Sequence, residues 1–301
     1  MSAAPAQRMG PGRVAALTSL ALVAFAANSI LCRLALGQGR IDAASFTTIR
    51  LAAGVLALVA LVTLRPKRAG APRATGDWLA ATMLFLYAAA FSFAYLSLDA
   101  GVGALILFGA VQATMIVAAL ARGDRPRSVE WLGLVVALAG LTHLVRPGLD
   151  APSPWGAALM AAAGAAWGLY TLRGAGMADP LVRTRDNFVY ALPLGLALSA
   201  LAWDRFEISI EGLGWAALSG SVTSGAGYAV WYTALRGLTA TRAAIVQLSV
   251  PVLAAVGGIL LLGERPTWRL GVAAVLILGG VGLALSGRRR AAPPAARPGT
   301  A

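Results

Sequence analysis

The chain has 301 residues, of which 58% are hydrophobic and only 12% charged, with a mean hydropathy of +0.75. A soluble domain carries about twice that share of charge, so a soluble enzyme and a disordered chain are both excluded. The formal charge of +13, almost all of it Arg, would point to nucleic acid in a soluble protein; in so apolar a chain it reads as a membrane-orientation signal, with no nucleic-acid partner.

Five apolar runs come first, Val14–Leu36, Ser45–Leu64, Trp78–Leu98, Val102–Ala121 and Ser128–Val145. After a Pro-containing break at Arg146–Pro154 come Trp155–Leu172, Asn187–Leu201, Leu213–Leu235, Ala243–Leu262 and Trp268–Ser286. A backbone in hydrocarbon must satisfy its own polar groups, so such runs are helices. A span needs about 20 residues to cross about 30 Å, which the seventh run, carrying Pro193, meets least well. Arg8 and Arg13 before an apolar stretch with Ala24-Phe25-Ala26 also fit a cleavable signal peptide. Because the run continues to Leu36, it is read as the first span. The single Cys32 forms no internal disulfide. The expected fold is an all-α multi-pass membrane protein of ten transmembrane helices.

Charge placement tests that count. With the N-terminus inside, the cytoplasmic segments hold eighteen basic residues, from Arg8 and Arg13, the loops around Lys67, Arg125, Arg183 and Arg236, and the tail from Arg288 to Arg297. External loops hold five, Arg40, Arg146, Arg205, Arg265 and Arg269. This asymmetry is what the positive-inside rule requires of ten helices with both termini cytoplasmic. Residues 1–13 and 287–301 are then short basic tails.

Gly123-Asp124-Arg125-Pro126 recurs as Gly263-Glu264-Arg265-Pro266 at a fixed offset, each copy between the fourth and fifth runs of its half. Gly suits the end of a helix and Pro the start of the next, so the motif itself is read as a tight interhelical turn. The coincidence divides the chain into halves at about 14–146 and 155–286. Five spans per half is odd, so the second half enters the membrane from the opposite side, as in inverted-repeat secondary transporters.

These two halves, the Gly263-Glu264-Arg265-Pro266 turn with Trp268 after it, Pro251 in the preceding run and Arg50 early in the second run resemble the EamA-type transporters of the drug/metabolite transporter superfamily. The resemblance covers about residues 14–286. Val111 stands where the first half would carry the counterpart of Pro251, and Ala26-Ala27 replaces a common Trp-Gly pair. The resemblance implies export or exchange of small metabolites, often amino acids. It also implies a cavity lined by the first, third, fourth, sixth, eighth and ninth helices.

All twelve carboxylates fall in loops or at the ends of the runs. An embedded charge costs about 2.5–3.5 kcal/mol and persists where function needs it. The absence of an embedded acid argues against a carboxylate proton relay, a cationic-drug site and an aspartyl membrane protease. One His and one Cys on different runs make no metal site, and no cofactor is called for. His143, ending the fifth run, is read as interfacial.

Neutral polar groups remain. Asn28, Tyr87 and Gln112 sit mid-run and Gln247 nearer a cytoplasmic end, and each must face another helix or a wet cavity. Trp167, Tyr170, Tyr228 and Trp231 add large amphipathic rings in the sixth and eighth runs. Arg33 and Arg50 are placed toward the external side, where they snorkel to headgroups or attract an anionic or zwitterionic group at an outer vestibule. The Gly220–Gly227 stretch of small residues serves close packing or a hinge. The expectation is a bacterial inner-membrane or other plasma-membrane transporter of small polar metabolites, working by alternating access on a small-molecule substrate within the lipid bilayer. The alternatives are a nucleotide-sugar or drug-like solute class, or a membrane-embedded enzyme or sensor. The sequence does not fix the oligomeric state.

Overall fold

A computed structural model describes residues 9–65, 77–121, 123, 127–148, 151–174, 179–238, 243 and 246–287. Arg8, Lys67, Arg68, Arg73, Arg122, Arg125, Arg242 and residues 288–301, which entered the charge argument, lie outside the described residues, as does the Asp124-Arg125-Pro126 part of the first turn.

The first half holds α1 (Pro11–Leu36), α2 (Ala43–Thr63), α3 (Trp78–Ala94), α4 (Ala100–Ala121) and α5 (Ser128–Val145). The second holds α6 (Pro154–Gly174), α7 (Pro180–Leu201) and α8 (Ile210–Leu218), which continues through a π-helical segment (Ser219–Ala226) into α9 (Gly227–Leu235). α10 (Ser249–Leu262) and α11 (Trp268–Gly287) complete it. Among the described residues five helices (α1, α2, α4, α5 and α11) are long and apolar enough to cross a membrane, and α3 and α10 are apolar but shorter. The chain is an all-helical multi-pass membrane protein.

Local chemistry sets the starts and stops. Asp42, Asp77 and Ser209 cap α2, α3 and α8 by accepting from the backbone N–H groups of Ser45, Leu79 and Gly212 at 2.8–3.0 Å. Gly123 and Gly263, the glycines of the two repeated turns, have φ of 86° and 69°. That left-handed conformation ends α4 and α10, so the turn reading of the motif is what the described part displays.

Two boundaries depart from the apolar runs for a local reason. α3 ends at Ala94, and Tyr95–Leu98 turn toward α4. α7 begins two turns earlier than Asn187, because Pro180 and the Asp179 cap start the helix under a charged stretch that hydropathy does not register. Asp186 is therefore inside a helix, paired with Arg185, and is an exception to the expectation that every carboxylate sits in a loop or at a helix end.

The ends of the bundle are fixed by contacts between distant segments. At the end where α1 finishes, the Leu36 end, Asp42 N–H donates to Glu207 O at 2.9 Å and Ser209 N–H to Arg40 O at 2.8 Å. Arg269 there donates to the carbonyls of His143 and Leu144. At the end where α1 begins, the Pro11 end, Arg65 pairs with Asp179 at 3.3 Å and Arg183 with Asp77 at 3.2 Å. Because α4 runs from one end to the other, Gly123 and Gly263 lie at opposite ends of the bundle.

The main packings come in mates under exchange of the halves. α3 against α6 is matched by α1 against α8–α9, α4 against α6 by α1 against α10, and α3 against α7 by α2 against the π segment. α2–α7, α4–α10 and α5–α11 are their own mates. Small residues permit the approach: a Cβ on Gly280 of α11 would stand 2.5 Å from the carbonyl oxygen of Gly133 on α5.

Candidate functional site

Four helices meet in a buried polar knot. Asn28 on α1 accepts at Oδ1 from Ser219 Oγ (2.7 Å) and Thr223 Oγ1 (3.1 Å) of the π segment. Its Nδ2 lies 3.5 Å from the Tyr87 hydroxyl of α3. Arg50 on α2 donates from Nη2 to that hydroxyl at 3.0 Å and from Nε to Ser224 Oγ at 3.3 Å. Its guanidinium carbon lies 5.1 Å from the ring centroids of both Tyr87 and Phe91, within the range of a cation–π contact. The wider turn of a π-helix brings Thr223 and Ser224 onto one face toward α1 and α2. Gly220 lets that segment come against the Arg50 carbonyl, where a Cβ would collide.

Arg50 is only 2% exposed, and its Nη1 has no hydrogen-bond partner among the described residues. No described carboxylate is within ion-pair distance of it. A cation at the bilayer centre costs about 2.5–3.5 kcal/mol, and here hydroxyls and ring faces are what offset it.

Beside the knot lies an aromatic wall. Trp167 of α6 lies against Tyr87 (4.8 Å between centroids), Tyr228 (5.3 Å) and Tyr170 (5.4 Å), stacked on the last two. Phe25 meets Tyr228 and Trp231 edge-on. This wall divides two spaces. A small chamber of about 30 Å³ is bounded by Asn28, Arg50, Tyr87 and Ser224. A mostly apolar cavity of about 320 Å³ runs from Gln112, Trp167 and Gln247 toward the Pro11 end, where Arg173, Gly174 and Pro180 form its rim.

The two ends carry different chemistry. At the Leu36 end Glu264 accepts from the Ala100 backbone N–H at 2.8 Å, and Arg33 approaches both Glu264 (3.8 Å) and Asp99 (3.7 Å). Arg33 also donates to Tyr95 O at 3.1 Å. Burial raises the Glu264 carboxyl above its ordinary value; Asp99 adds to this, while the Ala100 N–H and Arg33 only partly oppose it. At the Pro11 end Asp77 pairs with Arg173 and Arg183 and, through its backbone N–H, donates to Asn187. Burial alone would raise Asp77, but the bonds from Arg173 and the Leu79 N–H outweigh it and hold the carboxyl below its ordinary value.

The structure brings all eight neutral candidates together. Gln112, Trp167, Tyr170, Tyr228, Trp231 and Gln247 line the cavity, and Asn28 and Tyr87 line the chamber. Arg33 and Arg50 are separated. Arg33 stays at the Leu36 end, engaged by Asp99 and Glu264. Arg50, expected at an outer vestibule, is instead enclosed among α1, α3 and the π segment, because the Gly220 contact pulls that segment over it. Ser219, Thr223 and Ser224 were legible only as small packing residues, and Thr184 and Asn187 were hidden by the charged start of α7. Hydroxyls recurring inside an otherwise Gly-rich run were the available signal.

Comparison with known proteins agrees with this architecture. The model of the EamA-like transporter family matches residues 154–286. The uncharacterized protein PA1977 of Pseudomonas aeruginosa is 52% identical over 276 residues, 92% of this chain and 96% of its own. The uncharacterized transporter YwfM of Bacillus subtilis is 27% identical over 209 residues, 66% of this chain and 70% of its own. A crystal structure of a protein 20% identical in sequence superposes with a TM-score of 0.60 over 94% of this chain and 100% of that one, a likeness of fold alone.

Proposed function

The chain belongs to the EamA-like transporter family of the drug/metabolite transporter superfamily, and we propose that it is a secondary transporter, an exporter or exchanger, of small polar metabolites such as amino acids or related compounds. One observation carries the reading: a cavity between the halves reaches the Pro11 end, while the Leu36 end is closed by contacts that join both halves. A site open to one side and closed to the other is one state of alternating access.

In this reading ten helices cross the bilayer as two inverted halves, 14–146 and 155–286, with both termini in the cytoplasm. The mated packings between halves and the opposite placement of Gly123 and Gly263 support it. The described basic residues Arg13, Arg65, Arg127, Arg173, Arg183, Arg185 and Arg236 gather at the Pro11 end, which favours that end as cytoplasmic and a plasma membrane, the inner one in a bacterium, as the location. The solute enters among Gln112, Trp167, Tyr170, Tyr228, Trp231 and Gln247, with Asn28 and Tyr87 behind them. No described carboxylate lines the cavity, so exchange or facilitated diffusion is favoured over tight proton coupling. Among the described residues no nucleophile–base pair lines the cavity, which favours transport over membrane-embedded catalysis.

Counterflow in proteoliposomes against amino acids, organic acids and nucleosides tests the function: accelerated uptake of one class into preloaded vesicles is expected, and none for any class would refute it. Impermeant labelling at Arg125 and Arg265, each substituted by Cys in a Cys32→Ser background, tests the topology. Reaction from opposite faces is expected; reaction from the same face would end the inverted arrangement.

A further inference from the structure

The chamber around Arg50 is dominated by donors, and its lining, which includes the neutral Ser29 and Gln247, holds no carboxylate among the described residues. Arg50 Nη1 has no partner among the described residues. Tyr87 Oη and Ser224 Oγ each accept a bond from Arg50, so each keeps its own proton to donate, and neither proton has an acceptor among the described residues. Asn28 Oδ1, the natural acceptor of the group, is already taken by Ser219 and Thr223. Three converging donors, one of them permanently charged, create a positive site with no described carboxylate to hold an ammonium.

The size of the space narrows the ligand further. A chamber of about 30 Å³ exceeds what one water needs and suits the head of a carboxylate, but not its body. Trp167 and Tyr228 border both the chamber and the larger cavity, so a head group held by Arg50 leaves its body against those rings. The cavity walls beyond are mostly apolar, and the rim arginines Arg173 and Arg183 are both paired with Asp77. A zwitterion would bring its ammonium toward Arg50, a cation with no described carboxylate at ion-pair distance; a monoanion would not.

We propose that the Arg50 chamber is an anion hole, holding the carboxylate of an organic monoanion whose apolar or aromatic body lies on Trp167 and Tyr228, in preference to a zwitterion or a cation. This rests on the transporter reading and narrows its solute class away from amino acids. Arg50 supplies the charge, Tyr87 and Ser224 the two flanking hydroxyl donors, and the ring wall the selection for a body.

The test uses the full chain in lipid nanodiscs with radiolabelled phenylacetate, competed by unlabelled phenylalanine, phenethylamine and acetate, which vary the charge and the ring separately. Phenylacetate is expected to bind at least about tenfold more tightly than phenylalanine, the cost of leaving the phenylalanine ammonium without a charged partner, with phenethylamine not competing and acetate weaker for want of the ring. Arg50→Gln should remove the preference, while Arg205→Gln, at a side chain 80% exposed, should keep it. Ser224→Ala and Tyr87→Phe each delete one donor without altering charge and should each weaken phenylacetate severalfold, so the assignment stays testable if Arg50→Gln does not insert. No saturable phenylacetate binding, equal or better competition by phenylalanine, acetate as strong as phenylacetate, or full affinity in Arg50→Gln would overturn it. Counterflow of a solute that ignores Arg50→Gln would overturn it while leaving the transporter reading intact; counterflow absent for every solute would remove both.

Discussion

The two ends of the bundle are both tied by Arg–carboxylate pairs, yet they are built differently. At the Leu36 end the ties include backbone hydrogen bonds between the segments before α2 and before α8, and a Glu264 side chain only 10% exposed. At the Pro11 end they are side-chain pairs around a cavity rim, with Arg173 48% and Asp179 38% exposed. Exposed pairs contribute about 0–1 kcal/mol each, whereas buried ones resist loss of either partner. The charge pairs, buried and exposed at both ends, therefore do not distinguish closed from open; the backbone bridge at the Leu36 end does.

Removing the ring at which the cavity stops breaks this contrast most directly. Trp167→Ala deletes contacts to Tyr87, Tyr170 and Tyr228, and a fall of about tenfold or more in counterflow is expected, with membrane insertion unchanged by fractionation. Gln112→Ala should cost about severalfold, one hydrogen bond to a solute. Normal kinetics in both would take them out of the site. The Leu36 end is probed next: Glu264→Gln weakens the approach of Arg33, and Cys32, fully buried one turn before Leu36, is the native reporter. Its labelling by an impermeant maleimide should quicken about severalfold, as expected for loss of part of a half-buried pair; an unchanged rate would show that the backbone bridge closes this end alone. The smallest effect belongs to Asp77→Asn at the rim, about 1 kcal/mol or less. Since the folded state lowers the Asp77 pKa, its contribution is present above the ordinary Asp value of about 3.9 and lost as pH falls through the lowered one. Melting of wild type and variant should therefore converge in acid and separate above that range.

Much of the scaffold could be read without coordinates, because hydropathy and turn chemistry are local. Ser128–Val145 begins and ends where its apolar run does, and the repeated Gly123 and Gly263 end their helices in the left-handed conformation that only a side-chain-free residue adopts easily. Where local chemistry and hydropathy disagreed, the reading failed: the Asp179 cap and Pro180 start α7 beneath Arg183, Arg185 and Asp186, and the cavity gains Thr184 and Asn187. The eight neutral candidates were legible because a polar group in hydrocarbon must find a partner, whichever that partner is.

Which partner was a question for the fold. Arg50 and Ser224 are 174 positions apart and Asn28 and Ser219 are 191 apart; only the closeness of α2 to Gly220 and the widened turn of the π segment bring them together. The amino-acid order by itself determined ten apolar runs, their bias of basic charge and a set of embedded polar side chains, since these follow from transfer energies of single residues. The enclosure of Arg50 among hydroxyls and ring faces, with no described carboxylate at ion-pair distance, was decided by tertiary structure alone, because hydrogen-bond satisfaction depends on groups that only packing makes neighbours.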